Sequence, residues 1–223
     1  MEGDAAHNVG RVLRAQVGQI YELSDGERVF LGRIENVGRE QVKFAIVEEL
    51  PSATSALRVT LLLAVVKFDA FEWALEKATE LGVHTIVPLA AARSEKGLVA
   101  AAEKRAERWK KILLESSQQS RRVKLPVLEK LTKATEAFAS HSDGPCILLS
   151  ERANAQPLKK ALGGQVANAV VLAIGPEGGW TDEEFSSAQT AGFREASLGK
   201  LILRTETAVI TALAAINYAF GDG

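Results

Sequence analysis

Two short stretches of the chain concentrate the residue types from which a binding or reactive site could be built. Gly175-Pro176-Glu177-Gly178-Gly179 joins an apolar run, residues 169–174, to the start of a capped helix. Open α/β sheets bind ligands at such strand-to-helix junctions, and glycines there let a ligand approach the backbone because no Cβ intervenes. The spacing is neither the dinucleotide fingerprint G-x-G-x-x-G nor a Walker A loop, and it lacks the lysine that would neutralise a triphosphate. Glu177 adds negative charge, which suits a cationic or neutral ligand better than a pyrophosphate; on these five residues alone a purely structural turn is an equal alternative. The second stretch, Leu203-Arg204-Thr205-Glu206-Thr207-Ala208, puts a cation, an anion and two hydroxyls into the opening of an otherwise apolar helix. Buried without partners, Arg204 and Glu206 would be costly, so they pair with each other, cap the helix or face a site. On spacing alone, capping with Thr205 or Thr207 is slightly favoured.

Other chemistries find less support. Cys146 is the single cysteine, set in the apolar run 145–149, and reads as a small buried hydrophobe with no disulfide partner. His7, His84 and His141 are far apart and have no cysteine at ligand spacing, so neither a zinc site nor a Cys/His nucleophile pair is expected, and no metal. A net charge of −1 gives no global attraction to a polyanion, so nucleic-acid binding depends on where cations collect. Lys104, Arg105, Arg108, Lys110 and Lys111 share one expected helix, followed by Arg121, Arg122 and Lys124, while Arg11 and Arg14 form a smaller group. Glu103, Glu107 and Glu115, interleaved in that helix, make a solvated, internally paired face a serious competitor.

The elements that must position these residues fall into two grammars. Residues 7–14 suit one or two helical turns. Residues 19–23, 28–34 and 41–47 are rich in Val, Ile, Phe and Tyr and are separated by Ser24-Asp25-Gly26 and Asn36-Val37-Gly38, which predicts antiparallel strands of a small barrel or sheet. Residues 50–56 gather Pro, Ser and Thr and read as a linker. Beyond it, apolar strands alternate with amphipathic helices, the pattern of a mostly parallel sheet covered on both faces. Strands are expected over 59–66, 84–89, 146–149 and 169–174. A helix carries Phe68, Phe71, Leu75, Ala78 and Leu81 at three- and four-residue steps and ends at Gly82; a long helix covers 96–120. Thr181-Asp182-Glu183-Glu184 is a capping box that opens another helix. The last helix, 204–219, is apolar on nearly every side and must be buried by its own sheet or by a second subunit.

Taken together, Glu76-Lys77-Ala78-Thr79-Glu80-Leu81-Gly82-Val83 with Ile86, Pro88 and Arg93-Ser94, then Gln119-Ser120-x-Arg122-x-x-Leu125-Pro126, then Ile174-Gly175-Pro176-Glu177-Gly178-Gly179, and finally Leu198-Gly199 with 203–208, resemble the ribosomal RNA small subunit methyltransferase E family. These are 16S ribosomal RNA uridine N3-methyltransferases of the SPOUT superfamily. Several motifs in order, from about residue 7 to the end, are far more specific than any one alone. The resemblance implies an α/β fold: a PUA-like β-barrel RNA-binding domain over 1–50, apparently short of its first strand, and a SPOUT methyltransferase domain over 57–223 with a deep trefoil knot. It also implies S-adenosyl-L-methionine as cofactor, 16S ribosomal RNA or the small ribosomal subunit as partner, and a homodimer with active sites near the subunit interface. Carried over by position, the cofactor loops are 149–150, 175–179 and 198–207, with Leu149, Ser150, Ile174, Gly175, Pro176, Glu177, Gly178, Leu198, Gly199, Leu203, Thr205 and Thr207 as the expected contacts.

The reaction this implies assigns roles to the remaining residues. Uridine N3 becomes a good nucleophile only when its proton leaves, which puts negative charge on N3 and the flanking carbonyl oxygens. Arg204 suits stabilisation of that charge, and Glu206 is the candidate for taking the proton or orienting Arg204. Arg11, Arg14, Arg93 and Arg122 are expected to contact phosphate. In place of the family's frequent Lys-Gly-Asp followed by a basic residue, this chain has Lys67-Phe68-Asp69-Ala70, so a positive contact is expected to be lost. Two rivals are a Rossmann-like nucleotide enzyme, whose phosphate-cradling fingerprint is missing, and a non-catalytic RNA-binding protein retaining the SPOUT fold. No apolar run reaches the roughly 18 residues that span a bilayer, and the N-terminus has no basic flank leading into an apolar stretch, so a cytoplasmic protein is expected.

Overall fold

The computed structural model describes residues 2–3, 15–38, 41–51, 56–163 and 167–221. The expected turn at 7–14, with Arg11 and Arg14, lies outside them. The chain divides into two compact units, 1–54 and 55–223.

In the first unit β1 (Ile20–Ser24), β2 (Val29–Val37) and β3 (Val42–Leu50) form an antiparallel sheet in the order β1-β2-β3. The β1–β2 turn closes because the Asp25 carboxylate accepts the backbone N–H of Glu27 at 2.9 Å and of Arg28 at 2.7 Å. These bonds hold the Asp25 carboxyl below its ordinary range. The strands outrun their apolar runs: β2 continues through Val37 and β3 to Leu50, where the sequence suggested a turn and a linker. Ladder hydrogen bonds to a neighbour carry a strand past the end of its own hydrophobic pattern. Ile34 and Val42 are fully buried beneath this sheet.

The second unit runs β4 (Arg58–Ala64), α1 (Phe68–Glu80), β5 (Thr85–Ala90), α2 (Lys96–Gln119), β6 (Val127–Leu128), β7 (Thr132–Lys133), α3 (Ala134–Ser140), β8 (Cys146–Leu149), β9 (Gln156–Pro157), α4 (Leu158–Leu162), β10 (Ala169–Ile174), α5 (Asp182–Thr190), β11 (Arg194–Ser197) and α6 (Thr205–Phe220). The strands make one sheet ordered β6-β5-β4-β10-β8-β11-β9, with β7 also on β5, and the pairings are parallel. Strand period two divides the core cleanly. Leu61, Leu63, Ile147, Leu172 and Ile174 face one layer, with side chains of α1, α2, α4 and α6; Leu62, Ala64, Leu148, Val171 and Ala173 face the other, with α3, Phe138, Trp180 and Phe193.

Local chemistry sets the helix ends. Gly82, at φ +85°, follows α1 in the left-handed conformation; its N–H donates to Thr79 O, and that of Val83 donates to Ala78 O, a Schellman turn. The Thr181 hydroxyl accepts from Glu184 N while the Glu184 carboxylate accepts from Thr181 N, so the expected capping box opens α5. The basic face of α2 is largely neutralised: Arg105 and Arg108 pair with the buried Glu72 of α1, Lys110 with Glu107 and Lys111 with Glu115. Among the described residues no helix is long and apolar enough to cross a membrane.

Candidate active site

Because β10, β8 and β11 are neighbours in a parallel sheet, the loops that follow Ile174, Leu149 and Ser197 leave the same edge side by side. With the start of α6 they enclose a cleft of about 510 Å³, a size typical of small-molecule sites. Leu149 and Ser150 enter from the first loop, Ile174, Gly175, Pro176 and Glu177 from the second, Leu198, Gly199 and Leu203 from the third, and Arg204 and Thr205 from the helix. The glycine-proline turn and the arginine-threonine helix start, distant in sequence, therefore share one cavity.

Two hydrogen bonds lock the walls. The Thr205 hydroxyl, on a residue only 6% exposed, donates to Gly175 O at 3.4 Å, tying the head of α6 to the turn after β10. Trp180 Nε1 donates to Leu149 O at 3.0 Å, tying that turn to the end of β8. Glycine at position 175 leaves room for the Trp180 indole, since a Cβ there would stand 3.0 Å from its Cε2. The N-terminal turn of α6 adds its partial positive charge to that of Arg204 at the cleft.

Gly178, Glu206 and Thr207 do not line this cavity. The reason for the last two is helical: with 3.6 residues per turn, Thr205 and Ala208 look inward and the pair between them looks elsewhere. Gly178 faces Arg93 instead, whose guanidinium Nη1 donates to Gly178 O at 2.8 Å. Arg93 itself reaches the cleft rim. It is held in place because Glu184, the capping carboxylate, also accepts Ala92 N at 2.8 Å. Arg122 lies elsewhere: its Nη1 donates to Thr79 O and Val83 O, both at 2.8 Å, so that edge of the guanidinium caps the Schellman turn of α1. Partial burial lowers its pKa. A phosphate would have to use the remaining donors of that side chain.

Sequence reasoning passed over Glu151, Arg152, Trp180 and Phe185, all of which line the cleft, as do Lys200, Leu201 and Ile202 of the expected 198–207 loop and Ala208 at the end of its motif. Arg152 ion-pairs with Asp182 and stacks over Phe185 at 3.5 Å from the ring centroid. Its only sequence signal was adjacency to Ser150. Trp180 was readable as the residue directly after the glycine turn. Cys146 is buried, and burial pushes its thiol up. Among the described residues no cluster of His, Cys, Asp or Glu could hold a metal ion.

The profile of the RNA methyltransferase domain family matches residues 53–217. The ribosomal RNA small subunit methyltransferase E of Synechocystis sp. is 38% identical over 95% of this chain and 70% of its own length. Its namesake in Bacillus subtilis is 30% identical over 97% of this chain and 88% of its own. Among solved structures, a ribosomal RNA small subunit methyltransferase E from Neisseria gonorrhoeae bound to S-adenosyl methionine superposes with a TM-score of 0.89 at 30% identity, covering 100% of this chain and 92% of that one. A Legionella pneumophila methyltransferase in complex with the cofactor SAM gives 0.86 at 32% identity, covering 99% and 91%.

Proposed function

The chain belongs to the ribosomal RNA small subunit methyltransferase E family, and from that premise we propose that it transfers the methyl group of S-adenosylmethionine to N3 of a uridine in 16S ribosomal RNA. The observation that carries this reading is the single cleft shared by Gly175, Arg204 and Thr205 and closed by the Thr205–Gly175 hydrogen bond.

The residues present fit the cofactor. Leu149, Ile174, Leu198 and Leu203 give apolar walls for a flat adenine, Ser150 and Thr205 supply hydroxyls, and the carboxylates of Glu151 and Glu177 suit a cationic sulfonium. When bound, S-adenosylmethionine supplies an already electrophilic methyl group, so the protein must chiefly align the acceptor and exclude water. Arg204 and the N–H groups at the head of α6 face the place where negative charge develops on the uridine. A base must come within hydrogen-bond reach of the proton it takes. Glu206, our sequence-based candidate, is one helix position away from the cleft, whereas Glu151 and Glu177 line it. Among the described residues Glu206 makes no ion pair with Arg204, so we look to the cleft carboxylates for proton transfer.

Five finer features belong to the same proposal. The antiparallel β1-β2-β3 sheet supports a PUA-like RNA-binding barrel over 1–50. The three loops packed at one sheet edge support a knotted SPOUT core over 57–223. A homodimer is supported by α6, which exposes Thr207, Thr211, Ala214 and Tyr218 at helical spacing, Tyr218 at 95%, and by the exposed Leu201 and Ile202 in the loop that precedes it. Arg11, Arg14, Arg93 and Arg122 are proposed phosphate contacts, and a ribosomal RNA substrate implies a cytoplasmic enzyme. The test is Arg204→Ala: turnover is expected to fall by about 10²–10³, as for loss of one charge-stabilising group, with S-adenosylmethionine affinity within twofold of wild type. Full activity in that variant contradicts the role.

A further inference from the structure

The cleft occupies the C-terminal edge of the parallel sheet; the opposite edge has a character of its own. Read along the strand order, its first positions bring together residues far apart in sequence: Lys124 before β6, His84 before β5, Arg58 opening β4, Asn168 before β10 and Arg194 opening β11. Backbone hydrogen bonds fix that line: Val127 N to His84 O at 2.9 Å, His84 N to Val59 O at 2.8 Å and Arg58 N to Asn168 O at 2.8 Å. With strands about 4.8 Å apart, the five spacings from β6 to β11 extend roughly 24 Å.

These cations differ from those of α2. The arginines and lysines there are largely engaged by Glu72, Glu107 and Glu115. Among the described residues, Arg58, Lys124 and Arg194 have no ion-pair partner. Nor are they needed to neutralise the end of α1, whose carbonyls are taken by the Schellman turn and by Arg122. Between Arg58 and Arg194 lies an open concavity of about 800 Å³ with the Asn168 side and a single acid, Asp143. His84 lies within reach of Arg58 and Lys124: its pKa is lowered first by desolvation and then by Arg58, Arg122 and Lys124.

We propose that this edge is a second RNA-binding surface, on which Arg58, Lys124 and Arg194 grip backbone phosphates at a distance from the methyl-transfer cleft; the inference rests on reading the chain as a ribosomal RNA methyltransferase. A predominantly cationic row with one acid, Asp143, and no Phe, Tyr or Trp suits phosphates, which position an RNA without reading its bases. The six residues of β10 separate the two edges by roughly 20 Å. An RNA must extend at least that far beyond its target base to reach both, so the row favours substrates longer than the site itself.

The experiment uses the full chain with Arg58→Gln, Lys124→Gln and Arg194→Gln combined. Binding to small-subunit ribosomal RNA is measured across a potassium chloride series, and methyl transfer is followed on that RNA and on a short fragment holding the target uridine. For three phosphate contacts the slope of log affinity against log salt is expected to fall by about 2. The ratio kcat/KM is expected to drop at least tenfold on the long RNA and to stay within twofold on the fragment, with S-adenosylmethionine affinity unchanged. Should the triple variant not fold, the single substitutions carry the same test, each with a slope change of about 0.7. A wild-type chain that methylates RNA while the variants keep its slope and its kcat/KM overturns the surface alone. A wild-type chain that neither binds nor methylates ribosomal RNA removes the functional reading and this surface with it.

Discussion

Substituting Gly175 by alanine tests the joint on which the cleft depends. The added Cβ would sit 3.0 Å from Cε2 and 3.2 Å from Nε1 of Trp180, so the indole must yield by a few tenths of an ångström. It has little room to do so. The ring is 4% exposed, packs edge-on against Phe138 with centroids 5.5 Å apart, and is tethered to Leu149 O at 3.0 Å. Overpacking a filled core costs about 1–3 kcal/mol, and stretching the tether beyond bonding range adds about 1 kcal/mol. A total near 2–4 kcal/mol lowers Tm by at least about 4 °C in a protein of this size. The same displacement moves the Leu149 and Gly175 walls apart, and S-adenosylmethionine affinity is expected to weaken about tenfold. Urea unfolding and calorimetric titration measure the two effects. Adding Trp180→Phe, which removes the crowded part of the ring, should recover part of the stability. An unchanged Tm and unchanged affinity in Gly175→Ala would refute the reasoning.

Two further predictions concern residues outside the cleft. Arg122→Ala removes both hydrogen bonds to the end of α1, and bonds from a charged donor of this kind contribute about 1.5–3 kcal/mol; urea unfolding should show a loss near 2–3 kcal/mol, and a loss under about 0.5 kcal/mol contradicts the capping role. His84 has a folded pKa below its ordinary 6.5. The unfolded chain therefore binds the proton more readily, and stability present above that value is lost as pH falls below it. Thermal unfolding across that range should show a decline that His84→Gln flattens; an identical decline in the variant contradicts it.

The most legible parts of the sequence were those where one signal dominates. Val59 to Val66 and Ala169 to Ile174 are apolar on both faces and read as central parallel strands; the capping box at Thr181 read as a helix start, and both are found so. β11 was illegible because Arg194-Glu195-Ala196-Ser197 has one buried apolar residue and owes its strand to pairing with β8. The consequence was functional, since the loop after β11 supplies a full wall of the cleft. Short elements such as α3 and α4 escaped for a similar reason: seven and five residues are too few for a helical period to show. Motif spacing located Arg204 and Glu206 but could not say that only the first would line the cavity. The cations on α2 look like a basic patch in the sequence, because their buried partner Glu72 lies on another helix. The row of unpaired cations at the sheet edge is the reverse case, invisible until topology aligns residues 58, 124 and 194.

The most direct measurement incubates the purified chain with unmodified small-subunit ribosomal RNA and S-adenosylmethionine carrying a labelled methyl group, followed by mass spectrometry of the digested nucleosides. Label appearing in 3-methyluridine, and lost in Arg204→Ala, is the predicted result. Label on another atom, or none with the cofactor saturating, would contradict the account.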